Sequence, residues 1–366
     1  MIRPSELTRS KLFTLFLLVG VLARGAAAAT CNGHAALCDR RYSNITFIGS
    51  HDSAFVGTGL ADNQLEPIDR QLASGIRFLQ IQTHDSNGTI ELCHTLCLLE
   101  DAGTLSGYLG TVKTFLDSNP EEVITLLLTN PDKKTGIEFN EVFQGAGVDV
   151  YAFVPPGNLT LDTWPTLGEM VGSGKRLVVF MDYLADKSVP YILDEFNSFM
   201  FETPFDTTDP VFPQCNIDRP SGASPAGRMS LVNHFLDTNT SGLLIPDRSA
   251  AETTNSAASI MAQVNICTGL YNRNPNFILL DWISIGDAIT VQDQLNGENS
   301  TQVSTPANQT SENSGQTGGS QQDPSKETGG QGPATDSVAN SLFQRWRETP
   351  SNIAVVLACT ILFMAI

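Results

Sequence analysis

Residues 44–53 read Asn-Ile-Thr-Phe-Ile-Gly-Ser-His-Asp-Ser, a β-prone run that ends by delivering an imidazole, His51, and at once a carboxylate, Asp52. A second β-prone run, residues 89–93, is followed directly by His94. Imidazole titrates close to neutral pH, so one such ring can take a proton while another gives one back. The two strand ends make His51 and His94 a candidate acid–base couple.

Further β-prone runs lie at residues 77–83, 123–129, 150–153, 176–181, 229–235 and 277–282. Several are almost continuously apolar, such as Val-Ile-Thr-Leu-Leu-Leu at 123–128 and Arg-Leu-Val-Val-Phe-Met at 176–181. That pattern suits parallel strands covered on both faces. Helix-like stretches fall between them at 105–117, 137–144, 191–198 and 257–267. With the runs at 45–49 and 89–93 the strands make a full barrel set. Residues 30–296 are therefore expected to form one α/β domain, an irregular TIM-type (β/α)8 barrel. The irregularity is expected at its start, where the first three strands leave little room for helices. His51, His84, His94, Asn130, Asp182, His234 and Asp281 stand at or just past strand C-termini, the face on which barrels build active sites. Asp182 and Asp281 have a simpler alternative as helix N-caps.

The flanks point to the cell surface. Residues 1–29 carry Arg3, Arg9 and Lys11, then an apolar run, then alanines, which is the layout of a cleaved signal peptide. Residues 297–339 are rich in Ser, Thr, Gly and Gln with almost no large apolar side chain, and are expected to form a disordered stalk. In residues 340–366 a small-residue site, a polar spacer and a short apolar end follow in order, as in a GPI-attachment signal. The apolar end, 353–366, is shorter than the roughly 20 residues of a spanning helix. Asn-X-Ser/Thr sequons at Asn44, Asn87, Asn158, Asn239, Asn299 and Asn308 fit a secretory route. Once Cys359 leaves with the tail, an even set of cysteines remains, which in an oxidising compartment favours disulfides over metal thiolates. The simplest pairing is Cys31–Cys38, Cys93–Cys97 and Cys215–Cys267, though spacing leaves other connectivities open. The net charge of −18 argues against nucleic acid as a partner.

Three stretches carry a family resemblance: Ile-Gly-Ser-His-Asp-Ser at 48–53, Gly-Ile-Arg-Phe-Leu-Gln-Ile-Gln-Thr-His-Asp-Ser-Asn-Gly-Thr-Ile-Glu-Leu-Cys-His at 75–94, and Phe-Ile-Leu-Leu-Asp-Trp-Ile at 277–283. They resemble the catalytic barrel of phosphatidylinositol-specific phospholipase C, the X-domain type of phosphodiesterase, and most closely its secreted fungal members. The resemblance implies a phosphoric diester hydrolase acting on a phospholipid or glycosylated phosphodiester. It makes His51 the general base on the inositol 2-hydroxyl and His94 the general acid on the leaving alcohol. Asp281 would orient His51, and Asp52 would assist protonation of the leaving group.

Two departures stand out. Where the family carries an acid and then, two positions on, an arginine or a metal-binding acid, this chain has Gln80 and Gln82. A hard divalent cation needs several carboxylate or carbonyl oxygens, so no metal or other cofactor is expected. Gln82 also lacks the guanidinium that would stabilise phosphoryl charge, and His84, two residues on, is the candidate substitute. Gln80, Gln82, His84, Asn130, Asp182 and His234 are the expected substrate-binding set. The missing acids leave open a barrel without turnover that serves as a surface binding or cell-wall protein. They argue against a sphingomyelin-directed relative, which needs acids for magnesium.

Overall fold

The structure is a computed structural model that describes residues 30–185 and 187–298. The segments read as signal peptide and attachment signal, and the stalk beyond residue 298, lie outside the described residues.

The strands in chain order are β1 (Phe47–Ser50), β2 (Phe78–Gln82), β3 (His84–Ser86), β4 (Thr89–Cys93), β5 (Asp101–Thr104), β6 (Ile124–Thr129) and β7 (Leu177–Met181). They continue with β8 (Ile192–Asp194), β9 (Met200–Glu202), β10 (Met229–Asn233), β11 (Asp237–Thr240), β12 (Leu243–Pro246) and β13 (Phe277–Leu280). The α-helices are α1 (Ile68–Ala73), α2 (Leu105–Ser118), α3 (Gly136–Ala146), α4 (Leu167–Ser173), α5 (Ala251–Thr254), α6 (Ala257–Tyr271) and α7 (Ala288–Asn296).

Eight strands form one sheet in the order β8-β7-β6-β2-β1-β13-β10-β9, and every pairing in it is parallel. The sheet curls into the expected TIM-type barrel. Among the described residues no ladder joins its outer strands, β8 and β9; the π-helical turn Glu195–Phe199 connects them instead.

Alternation along the strands sorts the core into two shells. Phe47, Phe78, Leu127, Phe180, Leu231, Phe277 and Leu279 pack together in the barrel interior. Their neighbours Ile48, Leu79, Ile81, Leu126, Leu128, Val179, Val232, Ile278 and Leu280 pack with the helices outside. The interior is aromatic: the Phe277 ring lies 4.6 Å from Phe78, 5.9 Å from Phe47 and 6.4 Å from Phe180. Gly49 sits against this layer, where any Cβ would run into the Phe78 ring and Leu279, so the residue two before His51 has to be glycine. At the opposite end Tyr42 plugs the barrel, stacked on Trp164 at 4.8 Å and bonded to Thr125 through its hydroxyl.

Several expectations need correction. Residues 89–93 do form a strand, but β4 lies in a separate antiparallel sheet, β3-β4-β5, inserted before α2. Residues 150–153, expected as a strand, hold the end of a 3-10 turn, Asp149–Tyr151, and one bridge from Ala152 to Leu177. Residues 191–198, expected as a helix, are β8 and the π-helical turn, and β9 went unrecognised because both strands are only three residues long. The irregularity is therefore largest at residues 182–228, where among the described residues no α-helix follows a strand. Pro190, Pro204, Pro210, Pro213, Pro220 and Pro225 lie in this stretch and deny a helix its backbone donors and φ freedom. The three disulfides are Cys31–Cys38, Cys93–Cys97 and Cys215–Cys267, the simplest pairing.

Truncating the central ring of the interior tests this packing. Phe277→Ala should cost about 3–5 kcal/mol of folding stability, read as a lowered urea midpoint of the purified domain.

Candidate active site

The strand register brings His51, Asp52, Gln80, Gln82 and Asp281 together at the C-terminal end of the barrel, and the β4–β5 loop adds His94. His51 follows β1 and Asp281 follows β13, and these strands pair Ser50 to Leu280. The His51 Nδ1 lies 2.8 Å from Asp281 Oδ1, which fixes the ring and leaves Nε2 facing the other way. Asp52 is fully buried, and its Oδ2 lies 3.6 Å from His51 Nε2 and 3.5 Å from His94 Nε2. One carboxylate oxygen thus stands between the two imidazoles, whose side chains are 16% and 18% exposed.

The glutamines of β2 complete the floor. Gln80 Oε1 accepts the Asp52 backbone N–H at 2.6 Å. Gln82 Nε2 donates to Asp52 Oδ2 at 2.9 Å, and Gln82 Oε1 accepts the Thr95 N–H at 3.0 Å. Both amide oxygens are therefore taken by backbone donors. Among the described residues, Glu91, Cys93 and Cys97 cluster at ligand distance, but the two cysteines are bonded to each other.

Charge follows from this crowding. Burial works against protonation of His51, but Asp52 and Asp281, with Asp237 beyond them, outweigh it and hold its pKa up at about 9. Burial raises Asp281 above the usual carboxylate range, opposed by His51. Asp237 is pushed up to about 7, by burial first and then by Asp281. Asp52 Oδ1 and Asp281 Oδ2 are buried without a protein hydrogen-bond partner.

The family model described as PI-PLC X 1 matches residues 37–296 of this chain. The chain belongs to the PI-PLC X family. It is 52% identical over 273 residues to a PI-PLC X domain-containing protein of Arthroderma benhamiae, covering 73% of this chain and 89% of that one. It is 44% identical over 270 residues to an uncharacterized secreted protein of the same fungus, covering 70% of this chain and 61% of the longer relative. A mutant of the phosphatidylinositol-specific phospholipase C from Staphylococcus aureus shares the fold with a TM-score of 0.50 at 17% identity, over 74% of this chain and 95% of that one.

The remaining candidates of this PI-PLC X domain are held by other partners. His84 faces Asp132 at 3.2 Å on the hairpin sheet. Asn130 donates to the carbonyls of Lys134 and Tyr183. Asp182 accepts the N–H groups of Asn130 and Tyr183, and burial pushes it up to about 7 against those bonds. His234 is fully buried; its Nδ1 meets Gln263 at 2.6 Å and its Nε2 meets the Thr254 carbonyl at 2.9 Å. Its neighbour Phe235 points into the barrel and stacks on His51, with centroids 3.7 Å apart and planes 6° apart.

Other residues of the site carried no signal in the sequence. Asn63 donates to Asp281 at 3.1 Å, and Gln64 donates to the His51 and Leu280 carbonyls. Phe55 meets the His94 ring edge-on at 5.2 Å. Beside the end of β9, Arg219 pairs with Glu202 at 2.5 Å and lies over the Phe205 ring at 4.2 Å. Only the alternation of Leu231, Asn233 and Phe235 along β10 could have favoured Phe235 over His234.

Burial holds the His234 pKa below its ordinary value, so protonation favours the unfolded chain. Its stabilising contribution is complete above the unfolded pKa of about 6.5 and is lost as pH falls. His234→Ala should lower stability at pH 7.5 by about 1–3 kcal/mol and flatten the loss of stability below pH ~6.5, measured by urea unfolding across pH.

Proposed function

We propose that this protein is a phosphoric diester hydrolase of the phospholipase C type that works without a metal ion. What carries the reading is the pair of imidazoles whose Nε2 atoms converge on the single oxygen Asp52 Oδ2, at 3.6 and 3.5 Å. A hydroxyl of the substrate attacks phosphorus while His51 Nε2 takes its proton. The bond from phosphorus to the leaving alcohol breaks, His94 Nε2 supplies that alcohol's proton, and a cyclic phosphodiester remains. Asp281 holds the His51 tautomer that presents Nε2 and stabilises the imidazolium that forms. Phe235 restricts rotation of that ring. The substrate class, a phospholipid or a glycosylated phosphodiester, follows the family.

The base must be neutral to act, yet the surrounding carboxylates keep His51 protonated up to about pH 9. In the pH profile of kcat/KM the limb set by the free enzyme's base should therefore lie near pH 9, with loss of the His94 proton supplying the opposing limb. Asp281→Asn should move the base limb to lower pH and lower the maximum on the order of 10²–10⁴-fold. His51→Ala and His94→Ala should each lose activity on that scale in folded protein, and EDTA should change nothing. Wild-type turnover in either alanine variant would remove the couple. The protonated His51 favours one second reading, a barrel that binds phosphodiesters at neutral pH without cleaving them; an inactive wild type that still binds such lipids would establish it.

We place the protein outside the cell on a GPI anchor. The order of small-residue site, polar spacer and short apolar end in residues 340–366 supports the anchor, and one relative is named a secreted protein. Treating intact cells with an enzyme that cuts GPI anchors should release the protein into the medium. Recovery of a peptide containing Phe363 from the membrane-bound form would contradict the anchor.

A further inference from the structure

We infer that Gln82 is a positioning residue, a neutral bridge that locks Asp52 and the His94 loop into one geometry. The inference rests on the phosphodiesterase reading of the same site and concerns the two charged positions that the resemblance leads one to expect on β2.

Each imidazole is followed by a residue in the left-handed region. Asp52 has φ 44° and Thr95 has φ 63°, a conformation that side-chain-bearing residues keep only where their surroundings hold them. In both cases the holding group is a glutamine of β2. Gln80 takes the N–H of Asp52 and Gln82 takes the N–H of Thr95. The two lie two residues apart and so reach from one face of one strand. The histidine pair is thus set by backbone contacts from a third element.

Gln82 does a second thing that Gln80 does not: its Nε2 donates to Asp52 Oδ2, the oxygen between the imidazoles. The two bonds from one side chain join the β1 end to the loop closed by the Cys93–Cys97 disulfide. A carboxamide offers an acceptor and a donor on one planar group and, unlike a carboxyl or an imidazole, keeps both at every pH. A glutamate would accept the Thr95 N–H but repel Asp52. An arginine would satisfy Asp52 and leave the Thr95 N–H without its acceptor. The departure from the charged pattern therefore follows from two simultaneous demands at position 82.

The test is a titration of the histidine rings in full-length protein by NMR, as wild type, Gln82→Glu and Gln82→Met, with cleavage measured across pH in parallel. His51 is faced by Asp52, Asp281 and Asp237, with Asp206 nearby, and His94 by Asp52 and Glu100. Gln82→Glu keeps the Thr95 acceptor and adds a negative charge beside Asp52. The His51 midpoint should rise by roughly one unit, and the base limb of the pH–rate profile should move with it. Gln82→Met releases the Thr95 N–H and should broaden or split the His94 ring signals, with kcat falling about 10²-fold and KM little changed. Wild-type histidine titrations and line shapes in both variants would overturn the bridge, as would a loss of activity that merely tracks a lowered melting temperature. If Gln82→Met does not fold, Gln82→Glu decides alone. The ring titrations need no turnover, so an inactive wild type would defeat the enzymatic reading while leaving the bridge to be judged separately.

Discussion

A carboxylate with no exposed surface, Asp52, is the constraint around which this site is organised. Removing an ion from water costs several kcal/mol unless partners replace the lost hydration. Here the partners are His51, His94 and Gln82, all converging on Oδ2, with Gln80 holding the backbone of the same residue. Each comes from a different part of the fold: the end of β1, the β4–β5 loop and the interior face of β2. The geometry of the histidine pair is therefore a by-product of satisfying one buried carboxylate.

The rest of the barrel makes that burial possible. Parallel pairing of β1 with β13 and β2 sets Asp281 and the glutamines on either side of the β1 terminus. Phe235 from β10 covers His51 from the far side. The aromatic interior beneath, from Phe78 to Phe277, leaves the strands no room to shift, since a close-packed core transmits displacement rather than absorbing it. The proline-rich stretch at 182–228 departs from barrel regularity without disturbing this arrangement, because β8 and β9 lie at the sheet's outer edges, farthest from β1.

Much of the fold was legible in the chain. The runs at 45–49, 77–83, 123–129, 176–181, 229–235 and 277–282 all became barrel strands because long apolar runs bounded by polar residues have few other ways to bury themselves in a chain of this size. The failures were the run at 150–153, which forms only a single bridge, the three-residue strands, too short for any periodicity, and the hairpin strand at 89–93, whose alternation looks the same in a barrel or beside one. The Cys93–Cys97 pair could be guessed from nearness, while the approach of His94 to Asp52 could not.

What the sequence determined by itself was a parallel α/β barrel and the candidate groups at its rim, because these depend on residue type and local order. Which rim residues share a site depended on tertiary structure. In strands buried on both faces, the two faces are equally apolar, so hydrophobicity cannot say which residues point inward. Strand pairing alone turned His51, Gln80, Gln82 and Asp281 toward the same space and His234 toward the helices, and it brought Asp52 to the one place where two imidazoles could meet.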